Sequence, residues 1–290
     1  MSSLVSSVLY TAHTAFLFTK SDIKSTVIPL SICAAAAAPI VELSRVPHVL
    51  FWIWFHMLQF CVSNQTLDPE EDGRNKRDRP LPSGRITLRN AIILRWVLVP
   101  ACWALSACYS LQTVYASIVL VALTVIYDEL HAHAGNWLVR NTVNALGFAS
   151  FEVGATFVAV SGPIPHALDG TGILALCISA GIFVTTIHTQ DFKDTDGDRA
   201  IGRQTIPIVY PGLARWTVIV PLLLWSISLA LVWKLDSVTA TAYITLGLFV
   251  GGRFLTLKSL AEHRVSFYWY NVWLAAAHAF PGYYRAWGHI

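Results

Sequence analysis

Carboxylates are scarce in this sequence, and their placement is uneven. The 290-residue chain holds 17 Asp and Glu residues. More than half lie in two short stretches: Asp68, Glu70, Glu71, Asp72 and Asp78, then Asp191, Asp194, Asp196 and Asp198. The first stretch reads Asn64-Gln-Thr-Leu-Asp68-Pro-Glu-Glu-Asp72. Steps of four keep Asn64, Asp68 and Asp72 on one helix face, with roughly 6 Å between rungs along the axis. Pro69 is expected to kink or restart that helix. In the second stretch, steps of three and four put Asp191, Asp194 and Asp198 on one face and turn Asp196 away. Two acidic ladders facing each other repel unless cations lie between them. Oxygen-only donors suit a hard divalent ion, Mg²⁺ in particular, which takes a few carboxylates together with waters and phosphate oxygens. Basic residues interleave the acids: Lys76, Arg77, Arg79 and Arg85 near the first ladder, Lys193 and Arg199 in the second. Carboxylates for metal beside Lys and Arg for phosphoryl oxygens make a charge pattern for a diphosphate clamped through bridging Mg²⁺.

These groups must be positioned by elements that live in lipid. The chain is 55% hydrophobic and only 13% charged, with mean hydropathy +0.55, whereas soluble domains carry roughly a quarter charged residues. The composition excludes a soluble enzyme, a disordered chain and a nucleic-acid binder. Runs of ~20 apolar residues read as membrane-spanning helices, and the runs are too long and uniform for barrel strands. Nine spans are expected, at 24–43, 46–67, 88–111, 113–130, 139–161, 171–190, 213–233, 237–257 and 266–287, in an all-helical bundle forming one domain over 1–290. The first twenty residues lack a basic segment before an apolar core, so no cleaved signal is expected; residues 1–20 read instead as an interfacial segment. The N-terminal segment and the loops after spans 2, 4, 6 and 8 hold fifteen of the twenty Lys and Arg, the opposite side holds Arg45, Lys234 and Arg285, and Arg95 and Arg253 lie inside spans. Both acidic loops are therefore expected to face the cytoplasm. The five cysteines fall in apolar runs and read as small buried hydrophobes.

Two motifs at these positions resemble the UbiA superfamily of intramembrane prenyltransferases. Asn64, Asp68 and Asp72 match its Asn/Asp-x-x-x-Asp-x-x-x-Asp run after the second helix. Asp194 and Asp198, preceded by Asp191, match its Asp-x-x-x-Asp run after the sixth. The stretch Asn75-Lys76…Arg79-Pro80-Leu81-Pro82-Ser83-Gly84-Arg85 is similar to the loop that follows the first motif. The resemblance implies nine helices in a U around a cavity open sideways to lipid. It implies two Mg²⁺ ions held by Asn64, Asp68, Asp72, Asp191, Asp194 and Asp198, and an isoprenyl diphosphate as substrate. Lys76, Arg79, Arg140 and Lys193 are the side chains expected on the diphosphate, whose departure leaves an allylic carbocation. The resemblance implies the lipid bilayer as surrounding, with the endoplasmic reticulum as the membrane, and implies no protein partner.

One departure narrows the reading. Members acting on aromatic acceptors often carry a Tyr-x-x-x-Lys-Arg-like stretch after the fourth helix. Here Tyr127 is followed by Asp-Glu-Leu-His-Ala-His, and Arg140 comes only at the next span. This segment and the 64–85 run are more similar to the fungal UbiA-type terpene cyclases, which fold the chain back on its own cation. The expectation is a Mg²⁺-dependent cyclase acting on farnesyl or geranylgeranyl diphosphate. A prenyltransferase with a separate acceptor is the alternative; a transporter would spread ionisable residues through the midplane instead. Candidate rings for the cation are Phe51, Trp52, Trp54, Phe55 and Phe60 in span 2, and Phe267, Tyr268, Trp269, Tyr270 and Trp273 in span 9. Asn141, Asn144 and Glu152 share one face of span 5, as a polar stripe toward the cavity or as interhelical hydrogen bonds. Arg95 and Arg253 are expected to snorkel or pair within the bundle. His188 lies one turn before Asp191, and His56 and His278 read as packing or interfacial groups.

Overall fold

A computed structural model describes residues 2–38, 44–67, 69, 72, 76–162 and 167–288. Asp68, the middle rung of the first acidic run, lies outside the described residues. An amphipathic start, α1 (Ser2–Thr19), is followed by a π-helical turn (Ile23–Val27) running into α2 (Ile28–Ala37). Then come α3 (Arg45–Gln65), α4 (Leu88–Ala107), α5 (Leu111–Asp128), α6 (Trp137–Val160) and α7 (Gly170–Thr186). A 3₁₀ segment (Ile187–Lys193) and two short helices, α8 (Thr195–Ala200) and α9 (Ile206–Val209), form the second long connection. The chain closes with α10 (Trp216–Val232), α11 (Ser237–Thr256) and α12 (Leu260–Trp287). No strand occurs among the described residues.

Six helical segments are long and apolar enough to cross a membrane: Arg45–Gln65, Leu88–Ala107, Leu111–Asp128, Trp137–Val160, Gly170–Lys193 and Ser237–Thr256. The nine-span expectation is therefore met in part. A helix stands at each of the other three positions, but Ile23–Ala37 and Trp216–Val232 are shorter, and α12 mixes its apolar residues with His263, Arg264, Asn271 and Arg285. The outward surface remains apolar, with Leu224, Leu231 and Val238 more than half exposed, as a lipid-facing surface requires.

Polar capping fixes where these helices begin. Thr87, Ser110, Asn136 and Asp169 each accept a backbone N–H from the first turn of the following helix, and Ser259 and Glu262 form a reciprocal capping box at α12. Small residues then let the helices approach closely. A Cβ at Gly154 would stand 2.2 Å from the Trp52 ring, so α3 and α6 meet closely only with glycine there. Helix α2 runs through the middle of the bundle and packs on α3, α6, α7 and α12, while α10 and α11 pair with each other and α11 with α12. Chain direction alternates along this path. The C-terminal ends of α3, α5 and α7 and the N-terminal ends of α6 and α12 thus come together at one rim.

Several expectations are corrected by the packing. The second acidic run is not one continuous α-helix: it is a 3₁₀ segment to Lys193, a break at Asp194, then α8. Since 3₁₀ residues three apart eclipse one another, Asp191 and Asp194 still share a side. Cys33, Cys61 and Cys102 are buried, but Cys108, just past the end of α4, and Cys177, on the outward face of α7, are exposed. Arg95 pairs with Glu129, whose side chain is 41% exposed at the end of α5, and Arg253 donates to Ser266.

Candidate active site

Where the helix ends converge, a cavity of ≈ 470 Å³ opens among α3, α5, α6, α7 and α12; small-molecule sites span about 300–1,000 Å³. Its two ends differ in kind. The rim carries Asn64 from α3, Lys76 and Arg79 from the following loop, Arg140 from α6, and Lys193 and Asp194 from the end of the 3₁₀ segment. The depth is walled by Phe148, Phe151, Phe183 and Leu274, among others, while Phe60, one turn from Asn64, and Phe267, whose ring lies 5.0 Å from Lys193 Nζ, line the cavity near the rim. Asn64 of the first run and Asp194 of the second therefore meet at one mouth.

The rim is a lattice of opposite charges. Arg79 Nη1 donates to both oxygens of buried Asp72, at 2.7 and 2.8 Å. Arg140, itself buried, donates to Asp191 Oδ1 at 2.7 Å. Arg203 donates to Asp198 at 3.1 Å, and Lys193 pairs with Asp194. Desolvation, and then the Arg79 guanidinium nearby, push the Lys76 ammonium below its ordinary range. Asp72, Asp191 and Asp198 are buried and do not line the cavity; the first two bond to Arg79 and Arg140, which do, and Asp194 lines it directly. Asp196 is turned away, as the spacing implied, and borders a separate polar groove with Arg199.

Asn64 has a fixed orientation. Asp128, fully buried at the end of α5, accepts from Ser63 Oγ at 2.6 Å and from Asn64 Nδ2 at 3.3 Å. A carboxylate only accepts, so the Asn64 amide nitrogen is committed to Asp128 and its carbonyl oxygen is left as an acceptor.

The aromatic expectations divide. Phe60, Phe267, Tyr268 and Tyr270 line the cavity. Trp52 is instead buried with its ring N–H on Ser106, and Trp54 donates to Thr19; Phe51 points outward. The polar stripe of α6 divides too. Asn144 lines the cavity, whereas Glu152 bonds to Ser179. His188 faces Thr217 rather than the acids. Sequence reasoning missed Asp22 and Lys24 at the mouth, as well as Phe148, Phe151 and Phe183. For Asp22 and Lys24 a signal existed, since charges that flank an apolar run at the same membrane side can reach the same rim.

The model of the UbiA prenyltransferase family matches residues 26–274. The chain belongs to this family. It is 32% identical to fumagillin beta-trans-bergamotene synthase of Aspergillus fumigatus over 96% of its own length and 94% of that protein's. A polyprenyl transferase of Hericium erinaceus is 28% identical over 86% of this chain and 83% of its own. Among solved structures, a UbiA homolog from Archaeoglobus fulgidus bound to GPP and Mg²⁺ superimposes with TM-score 0.67, covering 92% of this chain and 99% of that one at 15% identity. This UbiA-family chain is an integral membrane protein and an enzyme of that superfamily.

The rim suits the divalent ion that such structures contain. Its donors are all oxygens, and Asp191 Oδ2 and Asp198 Oδ2 are buried without a hydrogen-bond partner. Buried carboxylate oxygens left unpaired are costly, and a hard cation is a partner that would satisfy them.

Proposed function

We propose that this protein is a Mg²⁺-dependent membrane terpene cyclase acting on farnesyl or geranylgeranyl diphosphate. The observation that carries the reading is the two-ended cavity: a mouth of paired carboxylates and guanidinium groups leading into an apolar, ring-lined depth. Asn64, Asp68, Asp72, Asp191, Asp194 and Asp198 would hold two Mg²⁺ ions, which when bound supply positive charge to the leaving diphosphate.

The chain's own residues do the rest. Lys76, Arg79, Arg140 and Lys193 bind the phosphoryl oxygens and hold the head group at the mouth, where preorganised charge favours ionisation. The allylic C–O bond breaks with its electron pair going to the diphosphate. The hydrocarbon tail lies in the apolar depth, which excludes water from the cation. There a double bond of the same chain attacks the allylic carbon, and the ring cation finally loses a proton, or at the end of the cascade takes up one water that then loses a proton. Faces of Phe148, Phe183 and Phe267 stabilise the positive charge, each ring being worth roughly 0.5–2 kcal/mol. Nine spans, one domain over the chain and an endoplasmic reticulum membrane with the mouth on the cytoplasmic side complete the proposal.

Likeness to a polyprenyl transferase supports a second reading, in which the cation passes to a separate acceptor. Purified protein in detergent, given C10, C15 and C20 diphosphates with Mg²⁺ and no acceptor, separates the two. Cyclic hydrocarbon or alcohol in hexane extracts is expected. Intact substrate under conditions that keep the protein folded would favour the acceptor-dependent reaction.

A further inference from the structure

Deep in the bundle, away from the mouth, three ligand-type atoms meet. Cys33 Sγ from α2, a Glu152 carboxylate oxygen from α6 and a His278 ring nitrogen from α12 all lie within 4.8 Å of one another, and all three residues are buried. Glu152 is twelve residues along α6 from Arg140, roughly 18 Å at 1.5 Å per residue. The cluster is thus separate from the diphosphate end of the cavity.

Its hydrogen bonds define the chemistry. His278 Nδ1 lies 3.0 Å from the Pro29 carbonyl, which only accepts, so Nδ1 carries the proton. Nε2 of a neutral ring is then a lone pair, directed at Ser179 Oγ (2.9 Å) and Glu152 Oε1 (3.4 Å). Ser179 Oγ is also 2.8 Å from Glu152 Oε1. One hydroxyl proton cannot serve both acceptors. Glu152 Oε2, fully buried, finds no N–H or O–H donor; the only further group on the carboxylate is the Cys33 thiol, a weak donor. The group is short of positive charge in a place where an unbalanced carboxylate is expensive.

We propose that Cys33, Glu152 and His278 form a structural site for a zinc-type divalent metal. Sulfur, carboxylate oxygen and imidazole nitrogen are the donor types zinc takes, with Ser179 or a water completing a tetrahedral set. The backbone carbonyl on Nδ1 is the partner that fixes a ligating imidazole in the right tautomer. Binding releases the Cys33 thiol proton to water. One thiolate, one carboxylate, a neutral imidazole and a divalent ion sum to zero charge, which is what a lipid-embedded core requires. The ion would tie α2, α6 and α12 together beneath the Phe148–Phe183 pair, whose rings stack at 4.4 Å.

The test is metal analysis of the full chain, expressed with Zn²⁺, purified in detergent and washed with EDTA to strip ions from the mouth. About one zinc per chain is expected to survive. Asp194→Ala should keep it, and Cys33→Ser or His278→Ala should lower retention at least tenfold. Wild-type protein containing no stoichiometric zinc would overturn the proposal and leave Glu152 as a protonated hydrogen-bonding partner. So would zinc unchanged in the Cys33→Ser/His278→Ala double variant. If those variants fail to fold, wild-type protein loaded with Co²⁺ decides: a sulfur-to-metal charge-transfer band is expected, and a spectrum without one contradicts Cys33 ligation.

Discussion

The mouth and the depth of the cavity are built on different physical terms. At the mouth, carboxylates and cations face each other at hydrogen-bonding distance: Arg79 on Asp72, Arg140 on Asp191, Arg203 on Asp198. Removing one partner there strands a charge in a poorly solvated place. In the depth, the same cavity is walled by rings and aliphatic side chains, where a change of side chain alters shape without stranding anything. In the proposed reaction, the first region would govern whether the diphosphate leaves, and the second what the resulting cation becomes. The contrast teaches that rate and product should respond to separate sets of residues.

The largest effect should come from the mouth. Asp194→Ala, and equally Asp68→Ala, should lower turnover by at least about 10²–10³-fold, measured as diphosphate release, with the protein still in the membrane. Retained turnover in either would remove that residue from the ion-binding set. Next comes Arg140→Ala. It strands Asp191, whose side chain is 1% exposed. Breaking a buried pair costs about 3–5 kcal/mol, so a marked fall in thermal stability should accompany the loss of turnover. Arg140→Ala protein with wild-type stability would show that the pair is not buried as described.

A smaller and different effect is expected in the depth. Phe148→Leu keeps an apolar wall but removes a π face worth roughly 0.5–2 kcal/mol. Turnover should fall by about 2–30-fold, while the product mixture read by gas chromatography shifts. A variant that changes rate without changing products would blur the division between the two regions. The smallest effect belongs to the outer edge of the mouth. Lys20 and Asp78 pair at 3.1 Å with side chains 54% and 67% exposed. Such surface pairs contribute about 0–1 kcal/mol, so Lys20→Ala should leave turnover and melting temperature nearly unchanged.

These two regions also differ in how far sequence alone reveals them. The mouth is partly legible, because charge in a lipid-soluble chain is costly and must be explained: Asn64 and Asp194 line it, while Asp191 and Asp198 are buried against Arg140 and Arg203. The depth was not legible, because a ring suits lipid, a helix interface and a cation pocket equally well. Phe148 and Phe183 face the cavity while Trp52 and Phe51 do not, and only helix rotation distinguishes them. Backbone detail was lost for a related reason. The 3₁₀ turn that carries Asp191 is a tightening of the last turn of α7, which side-chain periodicity does not encode. The apolar helix Ile23–Ala37 contains a π turn before Pro29, again a local adjustment inside an apolar run. Cys33, Glu152 and His278 are far apart in sequence, and only the packing of α2, α6 and α12 brings them together.

The central claim is that the two acidic runs act as one ion-bridged grip on a diphosphate. It is tested most directly by following diphosphate release from farnesyl and geranylgeranyl diphosphate with purified protein, before chelation, after EDTA, and after Mg²⁺ is added back. Release that stops with EDTA and returns with Mg²⁺, and that does neither in Asp194→Ala, is the expected result. Release that continues unchanged in the chelated wild-type protein would contradict the grip outright.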